Sequence, residues 1–378
     1  MGMDKKIRMV DLVGQYHRLK DEIDEAIFTT IENSSFINGP MVKTFGVNLA
    51  TYLGVEYVIP CGNCTDALQI ALMRLNLQKG DEVIVPAFTY AAAAEAAVLL
   101  GLVPVLVDVD PRTFNISPDA IAGAITDRTK VIITVHLFGQ SCDMQPILEL
   151  AQKHDLLVIE DDAQSLGAEY TFSDGTVKKT GTMGNIGTLS FFPTKILGCY
   201  GDGGAVIVHD AEFAEEVRMT TVHGQNIKYH HQIIGCNSRL DTLQAAILNA
   251  KLKHIESFIA ARQAAARKYD NALKDLDGIL LPSRLQASSH VYHQYTIQVL
   301  DGRRDALQAH LKAQGIPALV YYPVPMQEQM AFKQYARISG DLSVAKELTD
   351  NVLSLPIHTE MEEDVLDYII QEIRNFCC

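Results

Sequence analysis

Through its first two thirds the chain alternates two apolar patterns. Short, near-continuous apolar runs at residues 57–60, 83–85, 103–107, 131–135 and 156–159 predict strands covered on both faces, since a strand with one wet face would alternate polar and apolar positions. The stretches between them carry helical spacing and start signals such as Ser117-Pro118, an N-cap followed by a first-turn proline. Strand-helix-strand repetition predicts an α/β fold with a mostly parallel sheet flanked by helices and right-handed crossovers. Residues 22–31 form an expected amphipathic helix, ended by turn chemistry at 34–40. From Asp241 onward the pattern is helical, with Leu243, Ile247 and Ala250 on one face and a second helix expected over 255–276. Beyond it come a strand at 295–299, a helix at 303–313, the turn-rich Tyr321-Tyr322-Pro323-Val324-Pro325 and a last helix at 363–376. The expected division is a large domain over 1–250 and a smaller α+β domain over 251–378.

Composition narrows the function classes. The 378 residues are 48% apolar and 21% charged, ordinary globular values, and the net charge of −14 argues against a nucleic-acid binder working through a basic face. The amino terminus, M-G-M-D-K-K-I-R-M-V-D, is too charged for a signal peptide, and Lys6 stands where a myristoylation motif needs Ser or Thr. The most apolar stretch, 91–109, is interrupted by Glu95, Gly101, Pro104 and Asp108, so no membrane span is expected and a cytoplasmic location is. Seven scattered cysteines suggest reduced thiols, and Cys61-x-x-Cys64 lacks the second pair a zinc site would need. His223, His230 and His231 are expected on a solvated loop, and no metal site is expected.

Ligands in parallel sheets bind beyond the carboxyl ends of the strands. A short β-like run at 188–192 leads through Pro193 to one lysine, Lys195, followed by glycines 198, 201, 203 and 204. An amine desolvated at such a place becomes a nucleophile toward an aldehyde, and pyridoxal phosphate is the obvious one. That cofactor needs a phosphate cup, an aromatic plate and an acid for its ring nitrogen. Cys61-Gly62-Asn63-Cys64-Thr65 enters a helix after the first run, so its backbone amides and the Thr65 hydroxyl suit an anion, although an ordinary helix cap reads the same way. Tyr90 follows the second run, where a core aromatic is the plainer expectation. Glu160-Asp161-Asp162 follows the fifth, and three carboxylates at a buried strand end require partners. No G-x-G-x-x-G follows the first strand, against dinucleotide binding.

With these parts assembled, the chain resembles the DegT/DnrJ/StrS sugar aminotransferases, fold-type I pyridoxal phosphate enzymes, from residues 37–40 to the last helix. The resemblance is carried by S-F-F-P-T-K-I-L-G-C-Y-G-D-G-G-A, V-I-E-D-D-A-Q-S and C-N-S-R-L-D-T-L-Q-A-A-I-L. It implies Lys195 as the residue joined to pyridoxal phosphate, Asp161 facing the pyridine nitrogen and Gln164 near the ring hydroxyl. It also implies a phosphate cup of Thr65, Ser190 and the Cys64 backbone, with Tyr90 over the ring. Asn237 matches an asparagine lent to the neighbouring subunit's phosphate, which implies a homodimer with shared active sites. Arg239 is a candidate for an anionic substrate, and Tyr321 and Tyr322 lie in the segment near the sugar. The implied reaction moves an amino group from an amino acid, glutamate by preference, to a keto sugar linked to a nucleotide, at the 3-keto position and for surface polysaccharides. A 4-keto substrate, a sugar dehydratase and a non-catalytic regulator are the rivals; known dehydratases of this fold carry histidine where Lys195 stands. The departures are Cys64 in place of a small residue, Cys236 in place of a small or apolar one, Asp162 in place of a common alanine, and Tyr321 and Gln327 in place of histidines.

Overall fold

The computed structural model describes residues 6–377; residues 1–5, on which much of the amino-terminal reading falls, and Cys378 lie outside them. The first five strands are β1 (Tyr57–Cys61), β2 (Glu82–Pro86), β3 (Val103–Val107), β4 (Thr129–Val135) and β5 (Leu157–Asp161). A small hairpin, β6 (Glu169–Thr171) with β7 (Val177–Lys179), leads to β8 (Ile186–Ser190) and β9 (Gly204–Val208). A second hairpin, β10 (Gln225–Ile227) with β11 (His230–His231), projects beyond them, and His230 and His231 are exposed there. The last strands are β12 (Ile279–Leu280), β13 (Tyr295–Val299), β14 (Arg337–Ile338) and β15 (Val352–Leu355).

Helices fill the intervals. They are α1 (Leu12–Arg18), α2 (Lys20–Glu32), α3 (Pro40–Leu53), α4 (Cys64–Met73), α5 (Ala92–Leu99), α6 (Pro118–Ala124), α7 (Met144–Lys153) and α8 (Ala211–Thr221). Then follow α9 (Thr242–Leu252), α10 (Ile255–Leu273), α11 (Arg304–Ala313), α12 (Ser343–Asn351) and α13 (Glu363–Cys377).

The main sheet runs β1-β9-β8-β5-β4-β2-β3-β14, and every strand points the same way except β9. Both of its faces are dry, as the unbroken apolar runs require. Val83, Val85, Leu106, Val131 and Ile133 join one core cluster, while Ile84, Val105, Val107, Ile132 and Val158 join another on the opposite side. A three-stranded antiparallel sheet, β12-β13-β15, packs with α10, α11 and α13 around a separate core that includes Tyr269, Tyr295, Leu307 and Ile369.

The differences from the sequence-based expectation have local causes. The 188–192 run begins and ends two residues earlier, because Pro193 has no amide to extend a ladder and Lys195 N closes a turn on Phe192 O at 2.9 Å. The helix expected to reach 276 stops at Leu273, before the turn residues Asp275, Asp277 and Gly278. The fifth run extends to Asp161, which therefore stands at the strand's last position. β14 is too short for any sequence pattern, yet it pairs with β3 and joins the carboxyl-terminal third to the main sheet. No described helix is long and apolar enough to cross a membrane.

Candidate active site

The site lies where β1, β2, β4, β5 and β8 end. After β1, Asn63 caps α4 by accepting the Asp66 amide at 2.8 Å. Asp66 in turn holds the Ser238 hydroxyl at 2.6 Å, and Ser238 Oγ accepts the Gly62 amide at 3.0 Å. The loop is thus tied down on three sides while the amides of Cys64 and Thr65, at the start of α4, find no acceptor among the described residues. A close approach makes this possible: a Cβ at Gly204 would fall 2.4 Å from the Asn63 carbonyl carbon and 2.8 Å from Cys64 N. Gly204 pairs with Ser190 across β9 and β8, so the same glycine brings the Ser190 end of β8 to the open amides.

At the end of β5 the three carboxylates separate into different roles. Glu160 is fully buried and accepts the amides of Gly181, Met183 and Gly184 and the His136 ring at 2.8 Å. Asp162 is buried against Ser165, and its other oxygen has no partner. Asp161 is 6% exposed and accepts Ala163 N at 3.1 Å through Oδ1, while Oδ2 receives no hydrogen bond from the described residues. Burial outweighs the Ala163 amide, Lys195 and His136, and holds the Asp161 pKa above the ordinary carboxyl range. A desolvated carboxylate with one open oxygen suits a cationic N–H.

Lys195 sits in the turn after β8. Its Nζ makes no hydrogen bond or ion pair among the described residues, and desolvation holds its pKa below that of a free lysine despite the opposing influence of Cys64 and Asp161. Such an amine is neutral more often than a surface lysine and open to a carbonyl carbon.

The Cys64 thiol turns inward, 3.8 Å from both Asp161 Oδ1 and Thr188 Oγ1. Burial first, and Asp161 second, push its pKa well up, so the thiol keeps its proton. Behind Asp161 the chain after β4 takes a left-handed turn at Phe138 (φ 59°), whose amide donates to Gln164 Oε1 at 2.9 Å. That bond fixes the Gln164 amide so that Nε2 donates to Tyr322 Oη at 3.2 Å. Tyr322 lies 6.3 Å from the Tyr90 ring and 6.0 Å from that of Tyr321. Tyr90 is 62% exposed, so the plainer alternative of a core aromatic does not hold and its ring is open to solvent.

The sequence-selected Cys64, Thr65, Tyr90, Asp161, Gln164, Ser190, Lys195, Tyr321 and Tyr322 are therefore brought to one end of the sheet. No side-chain hydrogen bond among the described residues joins Asn237 or Arg239 to them. Asn237 is exposed and without a side-chain hydrogen bond among the described residues, and Arg239 lines a cavity of about 810 Å³ together with Lys43, Arg218, Lys228 and Asn226.

His293 was missed by sequence reasoning. Its buried ring has an unpartnered Nδ1, and burial, Lys195 and Arg262 hold it well below the usual histidine range, so a neutral imidazole neighbours the lysine. Only the His290-x-x-His293 spacing could have flagged it.

A parallel sheet whose strand ends present an open lysine amine, an open carboxylate, an anion cup and an exposed aromatic defines a fold-type I aminotransferase. The chain belongs to the DegT/DnrJ/EryC1/StrS aminotransferase family, whose model matches residues 17–374. It is 44% identical to the UDP-2-acetamido-2-deoxy-3-oxo-D-glucuronate aminotransferase of Pseudomonas aeruginosa, over 98% of this chain and 100% of that one. It is 42% identical to the pleiotropic regulatory protein of Geobacillus stearothermophilus, over 98% of both chains. The crystal structure of S. venezuelae DesV in complex with a ketimine intermediate superimposes with a TM-score of 0.94 at 37% identity, covering 98% of both chains.

Proposed function

We propose that this protein is a pyridoxal phosphate enzyme that transfers an amino group from an amino acid, glutamate by preference, to the 3-keto carbon of a nucleotide-linked sugar. It does so in the cytoplasm, on the way to the amino sugars of surface polysaccharides. The observation that carries this reading is the Lys195 amine, desolvated and unbonded beside a carboxylate with one open oxygen. The 3-oxo sugar named for the Pseudomonas relative supports the position of the keto group.

The residues fit the cofactor. The free amides of Cys64 and Thr65, with the hydroxyls of Thr65 and Ser190, would hold its phosphate at the positive end of α4. Asp161 Oδ2 would pair with the ring nitrogen and favour its protonated form, Tyr90 would stack on the ring, and Gln164 and Tyr322 would orient its hydroxyl side. Bound there, the cofactor supplies an electron sink for charge developing at the donor's α-carbon. Lys195 Nζ is the base that takes the proton from that carbon, and the buried, neutral His293 beside it adds no competing charge.

Asn237 and Arg239 act across a two-fold contact in this proposal, on the partner's phosphate and on the anionic substrate. The exposure of Asn237 and its lack of a side-chain hydrogen bond among the described residues support that arrangement.

The test is the visible spectrum of the purified pyridoxal phosphate form, mixed in turn with glutamate, a nucleotide-linked 3-amino sugar and a 4-amino sugar. Loss of the lysine-bound band with glutamate and with the 3-amino sugar alone is expected. A response to the 4-amino sugar alone moves the keto position, and no response to any of the three returns the regulator reading. Replacing Lys195 with Ala should lower kcat at least ~10³-fold while leaving the fold intact.

A further inference from the structure

Lys251 is a buried charge that the proposed chemistry does not use. It lies on α9 with its side chain fully buried, yet no carboxylate among the described residues pairs with it. Its Nζ donates to Gly198 O at 2.7 Å and stands 4.4 Å from the centre of the Tyr200 ring. Gly198 is three residues past Lys195. The turn between them is tight: a Cβ at 198 would come within 2.3 Å of Pro193 O and 2.8 Å of Phe192 O.

We propose that Lys251 is a positioning residue whose ammonium, fixed by α9, holds the back of the turn that presents the Lys195 amine. The proposal rests on reading Lys195 as the carbonyl-binding amine. Gln244 gives it a second anchor, since its Oε1 accepts the Tyr200 amide at 2.8 Å. Gln244 and Lys251 are seven residues apart, about two helical turns, and so share one face of α9. One rigid helix therefore grips the turn at residues 198 and 200. Tyr200 also meets Tyr16 edge-on at 6.4 Å, which ties the grip to α1.

The energetics favour positioning over structural support. Burial holds the Lys251 pKa down to about 8, a sign that the protein bears a desolvation cost to keep the ammonium there. An apolar side chain of similar length would avoid that cost, and replacing buried charges in this way is often neutral or stabilising. What methionine cannot supply is a donor to Gly198 O and a cation on the Tyr200 face.

Lys251→Met, compared with wild type, separates the two roles. Three quantities are read: the melting temperature of the apo-protein, amide deuterium exchange over residues 194–203 in the apo-protein, and the rate at which added pyridoxal phosphate develops the lysine-bound visible band. The expected result is an equal or higher melting temperature, exchange at least ~10-fold faster in the turn, and capture at least ~10-fold slower. Unchanged exchange and capture overturn the proposal, as does a fall in melting temperature in step with them, which would make Lys251 merely structural. Lys251→Gln is read the same way if the methionine variant does not fold. A wild type that takes up no pyridoxal phosphate sinks the reading of Lys195, and the exchange data still decide whether Lys251 holds the turn.

Discussion

Asp161 and Asp162 are neighbours in sequence with opposite fates. β5 ends at Asp161, whose Oδ2 receives no hydrogen bond from the described residues, and the next side chain turns into the protein, 1% exposed, with only the Ser165 hydroxyl on Oδ1. Burial pushes the Asp162 pKa up to about 7, against the pull of His136, Ser165 and Thr180. The unfolded chain releases this proton near pH 4, so the folded state binds it more tightly. The group's contribution to stability is therefore fully present below about pH 4 and is lost as pH rises to about 7. Asp162→Asn mimics the protonated side chain, and thermal melting should find it more stable than wild type at pH 8, by roughly 2–4 kcal/mol, with the gap closing on acidification to pH 4. A gap that is constant with pH would remove Asp162 from the titration. Asp161 was legible because carboxylates at a predicted strand end demand a partner. Nothing local distinguished it from Asp162, whose difference is one of facing.

At the scale of elements, the carboxyl-terminal segment between α11 and α12 acts as a strap. It brings Tyr321 and Tyr322 to the site and then docks Met326 N on Ala87 O at 3.0 Å. β14 lies along β3 and covers an edge that would otherwise be open. α12 begins on Asp108, whose oxygens accept the amides of Val344 and Ala345 at 3.0 and 2.8 Å. The firmest tie is Arg337, which meets both oxygens of the fully buried Glu82 at 3.1 Å, with Arg128 at 2.9 Å and the hydroxyls of Thr126 at 2.6 Å and Thr129 at 3.3 Å also donating to it. Removing one partner from a buried carboxylate is expensive, although Arg128 remains to soften the loss. Arg337→Ala should lower unfolding free energy in urea by about 2 kcal/mol with an unchanged m-value. An unaltered midpoint would mean that the strap is held elsewhere. Apart from the place of Tyr321 and Tyr322, which the resemblance implied, none of this was legible in sequence, because a two-residue strand has no period and Glu82 and Arg337 are far apart in the chain.

At the scale of the whole molecule, large apolar side chains remain exposed on two segments. Tyr229 and Ile234 are 78% and 80% exposed beside the β10–β11 hairpin, and Phe192, just past β8, is 50% exposed. Under the proposed pairing these surfaces meet a second copy, and Asn237 serves the partner's cup. Two inactive variants should then complement each other. In a Lys195→Ala and Asn237→Ala pair, one of the two shared sites keeps both its lysine and its incoming asparagine. Equal amounts, unfolded and reassembled together, should recover roughly a quarter of wild-type activity, since half the dimers are mixed and each has one sound site. No recovery from a mixture that does form mixed dimers would place Asn237 in its own chain's site.

The amino-acid sequence by itself determined the alternation of strand and helix, the strand ends that carry the chemistry, and the single lysine on its stiffened, glycine-rich turn. Those are local properties: the period of apolar positions, the missing amide of Pro193, the glycines that let backbone lie on backbone. The tertiary structure alone decided which groups oppose Lys195 and what holds it. Asp161, Cys64 and His293 approach it from three separate elements, Gln164 and Tyr322 meet across 158 positions, and Lys251 grips its turn from α9. Their roles depend on desolvation and on open hydrogen-bonding positions, and both exist only once the chain has closed around them.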